Sequence, residues 1–472
     1  MRSGALPPGV SAEDQEPRVS IAALAHPGEW RQTFTSLAER DYAWYFGGNI
    51  AFFMAMQMNL ILRGFLAYDL TNSAVALGLI SLTVAFPMLV IAPIGGVITD
   101  WFNKRTLLII AQGLVAAVNV VMTFLIFTDR IEFWHLMAAA VGTGSVISVV
   151  MPARQAVVPQ LVPQHKLMNA ISLQMSGQNL TRIVGTGLGA VLIAPFGVGT
   201  SYAVTVVLFA ASVLCMFPLP SAGMSSREGN ETPRDFRKDL AGGFRFVAAN
   251  PLFRMLLMTA LVMPLFAFPV MQLLPVFAKD VFDAPSVGLG VLAASGGVGG
   301  LIGSLIAANL DKVESKGWIM LAGALVMAAC FIAFALTPVL GLAAIVIAAG
   351  NVGQMLFMTT NNTVIQARVP DEYRGRVMSM LMMSFGLSPI GVLPVTIAAD
   401  AIGVQAAIAI ASAVFLVLVI LVFAFSPRLR ELRLSQFAEA ELSPAQAARL
   451  VADGKITREE AARLTGRTPA AG

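Results

Sequence analysis

Residues 74–99 read AVALGLISLTVAFPMLVIAPIGGVIT, and the chain continues as DWFNKR to residue 105. The first stretch contains no charged residue. As a helix it would be about 39 Å long, at about 1.5 Å per residue, and the hydrocarbon core of a bilayer is only about 30 Å thick. The pattern therefore predicts a membrane-spanning helix, and the charges that follow mark the membrane surface.

Stretches of this kind recur along the whole chain. Of its 472 residues, 57% are hydrophobic and only 12% are charged, whereas soluble proteins carry about 25% charged residues. The mean hydropathy is +0.76. This composition excludes a soluble multidomain protein and predicts an all-α membrane protein with twelve transmembrane helices. The predicted spans are 42–66, 74–99, 106–128, 134–157, 170–196, 200–218, 252–277, 286–309, 318–337, 339–364, 377–399 and 404–426.

The positive charges predict the orientation, because Lys and Arg accumulate in cytoplasmic loops. Alternate loops lie on the same side of the membrane. Of the 31 Lys and Arg residues, only Arg130 and Lys279 lie in the loops of one side, and Arg63 and Arg182 lie inside spans. All the others lie in the tails, the central linker or the loops of the opposite side. We therefore expect a multi-pass protein of the cell (inner or plasma) membrane with both termini in the cytoplasm.

The same pattern divides the chain into five parts. These are a cytoplasmic N-terminal tail (1–41), a six-helix half (42–218), a cytoplasmic linker (219–251), a second six-helix half (252–426) and a cytoplasmic C-terminal tail (427–472). The second half of the linker is predicted to form an amphipathic helix along the membrane surface. Two short helices are predicted in the C-terminal tail, which is either a docking module or a solvated tail.

The two halves resemble each other in sequence. Val162-Pro163 at one cytoplasmic turn corresponds to Val369-Pro370 at another, and the same offset relates Gly96 to Gly303. A parallel repeat of six plus six spans is typical of transporters whose halves rock about a central site. A channel is less favoured, because no stretch resembles a filter loop or a ring of charges.

Three groups of residues resemble the major facilitator superfamily. GVITDWFNKR at 96–105 is similar to its loop motif G-x-L-x-D-R-x-G-R-K. PARQA at 152–156 with NLTRIVG at 179–185, and VPDEYRGRVMS at 369–379, resemble the drug and siderophore exporter branch, which contains enterobactin and macrolide exporters. The resemblance covers about residues 42–426. It implies the major facilitator fold of two six-helix parallel repeats and a multidrug or siderophore efflux antiporter.

The resemblance also implies a cytoplasmic gate. Asp100 can accept hydrogen bonds from helix N-termini or from Arg154, and the small Gly96 allows two helices to approach closely. The predicted gating residues are Gly96, Asp100, Lys104, Arg105, Arg154 and Arg376. The alternative is an ordinary positively charged cytoplasmic loop that contains one Asp.

Polar residues inside the spans predict a binding cavity, because a polar side chain in a membrane helix should face the bundle interior. Arg182 is about 13 residues into the fifth span, with Gln178 and Gln174 on the same helical stripe. Arg63 lies near the outer end of its span and could instead snorkel to the interface. Interhelical hydrogen bonding is an alternative for several others. The predicted substrate-binding residues are Asn49, Gln57, Asn59, Arg63, Gln174, Gln178, Arg182, Gln272, Asn351 and Gln354.

The charges inside the spans indicate the kind of substrate. All 27 acidic residues lie in tails, loops or span ends, so the charge inside the membrane is positive. An uncompensated guanidinium in a low-dielectric cavity favours an anion and disfavours a cation. We therefore expect a secondary active transporter that works by alternating access and exports a neutral or anionic amphipathic molecule, such as a drug or siderophore. The alternatives are an uncoupled facilitator or importer, or a non-transporting sensor.

Other classes of function have little support in the sequence. No Ser-His-Asp set or metal-ligand spacing is found, so an enzyme, a cofactor and a metal site are not expected. No basic stripe with aromatic residues indicates nucleic acid binding. The expected partners are the small-molecule substrate, protons as the coupling ion and the lipid bilayer, and the protein is expected to be a monomer.

The orientation is testable with reporter fusions. Fusions after Asp129 and after Lys279 should report the outer side of the membrane, and fusions in the 219–251 linker should report the cytoplasm. The physical reason is the excess of Lys and Arg on the linker side. A reporter with opposite signals on the two sides measures this directly, and an outer-side signal from the linker would contradict the topology.

Overall fold

The computed structural model describes residues 35–220, 245, 247–310, 313, 315–369, 377, 380–381 and 386–426, without the side chains of residues 92–101, 183, 251, 366 and 367. The described part consists of long helices. They are α1 (Arg40–Thr71), α2 (Ala74–Trp101), α3 (Lys104–Phe127), α4 (Phe133–Leu161), α5 (Leu167–Leu214), α6 (Pro251–Gln272), α7 (Pro285–Asn309), α8 (Lys316–Leu336), α9 (Leu340–Arg368), α10 (Pro389–Ile402) and α11 (Val404–Phe425).

Ten helical segments of the described chain are long and apolar enough to cross a membrane, and α10 is a shorter apolar helix. One of the ten contains α5, whose 48 residues would extend about 72 Å in a straight helix. That is about twice the thickness of a bilayer core. The backbone of α5 breaks at Gly197, where φ is 76° and ψ is 170°. With α5 counted as two spans and the shorter α10 counted as one, the helices number twelve, and the expected twelve-helix architecture is confirmed.

Most predicted span limits agree with the helices to within a few residues. The seventh span, expected to reach residue 277, instead ends as a regular helix at Gln272 and continues through Leu274–Val276 into a π-helical turn, Phe277–Val281. The predicted span 377–399 is described continuously only from residue 386. The tail helices predicted in 427–472 and most of the predicted linker helix lie outside the described residues.

Glycines allow close helix packing within each half. A Cβ on Gly189 of α5 would lie 3.0 Å from the Cα of Met58 in α1, and one on Gly185 would lie 2.9 Å from the Cβ of Gln57. In the C-terminal half, a Cβ on Gly299 of α7 would overlap the backbone of Ala348 in α9. Small residues of this kind let membrane helices approach to backbone contact, where dispersion replaces the missing hydrophobic driving force.

The two halves contact each other through two pairs of helices related by the sequence repeat. A Cβ on Gly78 of α2 would collide with Thr396 of α10 and lie 3.0 Å from Leu393. On the other side, a Cβ on Gly290 of α7 would lie 3.6 Å from the backbone carbonyl carbon of Ala190 in α5. Helix α2 therefore packs on α10 as α7 packs on the first part of α5. Gly78 and Gly290 therefore occupy equivalent places in the two pairs of helices.

The turns at residues 72–73, 128–132, 282–284, 337–339 and 403 lie at one end of the bundle, which we call the Asp400 end. The turns at residues 102–103 and 162–166, the end of α7 at Asn309 and the start of α8 at Lys316 lie at the opposite end, which we call the Lys104 end.

The break at Gly197 is testable. A φ of 76° with a ψ of 170° is a conformation that essentially only glycine adopts, at a cost of about 1–3 kcal/mol for other residues. No atom lies within 4 Å of a Cβ placed there, so Gly197→Ala should lower the free energy of unfolding by about that amount through backbone strain alone. Denaturant unfolding in detergent micelles measures the change.

Gly113 of α3 supplies the matched control, since a Cβ there also meets nothing within 4 Å and its φ is not positive. Gly113→Ala should leave stability unchanged or raise it by about 0.5–1 kcal/mol, because alanine favours helix. Equal effects of the two substitutions would contradict the interpretation of the break.

Candidate functional site

Arg154 of α4 is only 1% exposed and lies against α1. Its guanidinium donates to Asn49 Oδ1 and lies 4.0 Å from the ring centre of Phe52. The hydroxyl of Tyr45 donates to the carbonyl oxygen of Arg154 at 2.8 Å. Amide and aromatic groups thus stabilise the charge without a described carboxylate. Arg154 was predicted to belong to the gate and Asn49 to the substrate site, and the two side chains contact each other in the structure.

Two further predicted residues of α1 bond to neighbouring helices. Asn59 donates from Nδ2 to Asn119 Oδ1 of α3 at 2.8 Å. Arg63 is 7% exposed and donates to Thr143 Oγ1 of α4 at 3.1 Å. The guanidinium of Arg63 is therefore inside the N-terminal half, and the alternative that it snorkels to the interface is wrong. In this conformation both side chains link helices.

Arg182 differs from these residues because its side chain is exposed. On a helix with about 100° per residue, it shares a face with Gln178 and Thr186, four residues away on either side. The exposed apolar Leu180 and Leu188 point about 120–160° away from it. Among the described residues no carboxylate pairs with this guanidinium. Within the described part of the chain, Arg182 is thus a cation without an acidic partner on the polar face of α5.

The other predicted residues of α1 and α5 surround this face. Gln57 is half-buried beside Gly185, Gln174 is buried, and Gln178 is half-buried. The carbonyl oxygen of Gln178 accepts a hydrogen bond from the Thr181 hydroxyl at 2.9 Å. These amides give the polar face of α5 hydrogen-bonding groups without adding charge.

The C-terminal half contributes amides from α9. Asn351 and Gln354 are 4% and 3% exposed, and Asn351 donates to the carbonyl oxygen of Ile347 at 2.8 Å. The Oε1 of Gln354 and the Oδ1 of Asn361, about two helical turns apart on α9, have no hydrogen-bond donor in the described chain. Asn361 lines a small pocket together with Met263 of α6. Unpaired buried oxygens are rare and costly, so these groups are available to a ligand or to water.

The predicted gating residues are at the Lys104 end. Lys104 begins α3 and is 4% exposed. Arg105 donates from Nη2 to the carbonyl oxygen of Phe217 at 2.5 Å and from Nε to that of Met216 at 3.3 Å. A cation at carbonyl groups that follow a helix stabilises the helix end, so Arg105 connects α3 to the end of α5. The side chains of Gly96 and Asp100, and all of Arg376, lie outside the described residues.

Hydrogen bonds between the halves are concentrated at the Asp400 end. Gln272 of α6 donates to Ser81 Oγ of α2 at 2.9 Å. Asp400 binds the start of α2, and Lys279 binds Asn72. Seven hydrogen bonds and ion pairs between described residues of the two halves lie at this end. In this conformation the Asp400 end is closed.

Several residues of the site were not predicted from the sequence. Tyr45, Phe52, Asn119 and Thr143 complete the surroundings of the buried arginines and asparagines. Asn119 and Thr143 are polar residues in apolar spans, which was a usable signal. The aromatic residues near Arg154 gave none, because Phe and Tyr are common in any membrane helix.

The fold and these contacts define a membrane transporter of two six-helix halves. The family of transmembrane secretion effectors matches residues 32–453, which is most of the chain. The protein therefore belongs to this family, a branch of the major facilitator superfamily.

Individual relatives are similar over most of their length. Macrolide efflux protein A of Streptococcus pyogenes is 26% identical over 74% of this chain and 86% of its own. The staphyloferrin A transporter of Staphylococcus aureus is 24% identical over 83% of this chain and 98% of its own. A solved bacterial homologue of the human lysosomal transporter Spinster has the same fold, with a TM-score of 0.65 and 15% identity over 83% of this chain and 97% of its own.

The contact between Arg154 and Asn49 is testable by a double-mutant cycle. Asn49→Leu should lower the free energy of unfolding by about 2–3 kcal/mol, because it leaves a buried guanidinium without its amide. Asn49→Leu combined with Arg154→Met should recover much of this loss, since no buried charge remains. Denaturant unfolding in micelles measures all four corners of the cycle. A double variant less stable than Asn49→Leu would show that Arg154 has further stabilising partners.

Proposed function

We propose that this protein exports an amphipathic neutral or anionic small molecule across the cell membrane by alternating access, using the proton gradient. The similarity to a macrolide efflux protein and to a staphyloferrin A transporter supports a drug- or siderophore-like small molecule as the substrate. The excess of Lys and Arg in the tails, the linker and the turns of the Lys104 end supports a cytoplasmic position for that end. The Asp400 end, where the described halves are bonded to each other, would then face the outside.

Arg182 is the observation that carries the proposal. It is an exposed cation on a polar helix face, and no described carboxylate neutralises it. A carboxylate or catecholate group of a substrate could pair with its guanidinium through two hydrogen bonds. The amides of α9 would contact uncharged polar groups of the same molecule.

Two acidic residues are candidates for coupling to protons. Asp69 is more than half exposed and lies 3.8 Å from Lys279, and Asp100 ends the second span. Protonation of either one in a single conformation would couple transport to the gradient, as would a proton carried by the substrate itself. We also propose that the predicted gating residues close the Lys104 end when the Asp400 end opens.

The test is competition between dyes in inverted membrane vesicles at fixed pH. The parent should transport an anionic dye and should transport an ethidium-like cation poorly. Arg182→Gln should lower kcat/KM for the anion about 10- to 100-fold, the value of a hydrogen bond to a charged group, and Arg182→Lys should retain much of it. Efficient transport of the cation that is indifferent to Arg182 would overturn the proposed substrate class.

The same vesicles test the coupling. Accumulation of the anionic dye should disappear when a protonophore collapses the gradient. Uptake that only equilibrates the dye, with or without the protonophore, would identify an uncoupled facilitator instead.

A further inference from the structure

The beginning of α2 is capped by a residue of the other half of the protein. Asp400, in the last turn of α10, accepts the backbone N–H of Ala74 on Oδ1 at 2.6 Å and that of Val75 on Oδ2 at 3.2 Å. Its Oδ2 also accepts the hydroxyl of Ser73 at 2.5 Å. These N–H groups belong to the first turn of α2, where the helix itself supplies no acceptor.

Neither Ser73, which precedes α2, nor the first turn of the helix provides a carboxylate. A carboxylate at a helix N-terminus is stabilised by the helix dipole and by charge-assisted hydrogen bonds. In most helices the capping residue precedes the helix in the same chain segment. Here the cap comes from α10, so it exists only while α2 and α10 are together at this end.

A second set of contacts joins the turn between α1 and α2 to the segment that follows α6 in the C-terminal half. The hydroxyl of Tyr68, in the last turn of α1, donates to Asp280 in the π-helical turn. Lys279 donates to Asn72 Oδ1 at 2.7 Å, and Asn72 has the left-handed conformation that ends α1. The turn between α1 and α2 is therefore bonded on one side to α10 and on the other to the segment that follows α6.

We propose that Asp400 is the central residue of an outer gate. By capping α2 it holds the Asp400 end closed, and it must release α2 in each transport cycle before the substrate can leave. The proposal rests on the alternating access proposed above. The Tyr68–Asp280 and Lys279–Asn72 contacts assist the same closure and separate with it.

The experiment measures the distance between the halves at the Asp400 end in the full-length protein. Spin labels are placed at Arg130→Cys and Val339→Cys, two exposed positions in the N- and C-terminal halves, after Cys215 and Cys330 are replaced by alanine. Pulsed electron resonance in lipid nanodiscs, without substrate, gives the populations of short and long distances. The parent should show mainly the short distance.

Asp400→Ala should raise the ratio of long to short distances about 5- to 30-fold, the factor that one or two contacts of this kind contribute. Asp400→Asn keeps the size of the side chain but removes its charge, so it should cause a smaller shift in the same direction. It also provides a milder variant if the alanine protein does not fold. Unchanged distance distributions in a folded Asp400 variant would overturn the proposal.

Glu132 is the matched control, because it caps a helix at the same end but within a single half. Its side chain accepts the N–H of His135 at the start of α4 and that of the Trp134 indole at 2.8 Å. Glu132→Gln should leave the distances as in the parent. A shift as large as that of Asp400→Ala would reduce the role of Asp400 to general helix stability and overturn the gate.

The result does not depend on the substrate. Failure to transport an anionic dye would count against the proposed function and leave the distance measurement valid. A dye transported as proposed, with no response of the distances to Asp400, would count against the gate alone.

Discussion

A guanidinium inside a membrane bundle has to be solvated by the protein or by water in a cavity, because lipid offers it no partner. Three arginines of the N-terminal half meet this requirement in different ways. Arg154 is enclosed by an amide and an aromatic ring, and Arg63 bonds to a hydroxyl of the neighbouring helix. Arg182 remains exposed on a polar helix face. The guanidinium of Arg182 therefore has to be solvated by water or by a substrate.

The halves share a fold but differ in their polar groups. The N-terminal half places the arginines inside the bundle, whereas the C-terminal half places amides on α9, among them Gln354 and Asn361 with unpaired oxygens. A substrate between the halves would meet a cation on one side and neutral hydrogen-bonding groups on the other. This asymmetry follows from the side chains, since the repeat makes the helix positions equivalent.

The sequence predicted the elements better than it predicted their contacts. The spans follow from hydrophobic length alone, and the two spans within α5 were separated although the helix is continuous apart from Gly197. Arg154 was one of two expected donors to Asp100, whose side chain lies outside the described residues, whereas its contact with Asn49 of α1 was not expected. Sequence spacing fixes which residues share a helix face, and which helix lies opposite that face depends on packing of the whole bundle. The capping of α2 by Asp400 joins residues more than 300 positions apart, so no local pattern predicts it.

The location of each polar contact determines whether it can open during transport. The contact of Arg154 is fully buried, so breaking it would leave a charge without water or partner, at a cost of several kcal/mol. Asp400 is exposed at the end of the bundle, and water can replace each of its bonds as the helices separate. Exposed polar contacts are individually weak, and a transporter needs two conformations that differ by only a few kcal/mol. Rigid contacts inside each half together with water-exchangeable contacts between the halves would therefore allow the halves to move as units in the proposed cycle, with the interface at α2 and α10 as the part that opens.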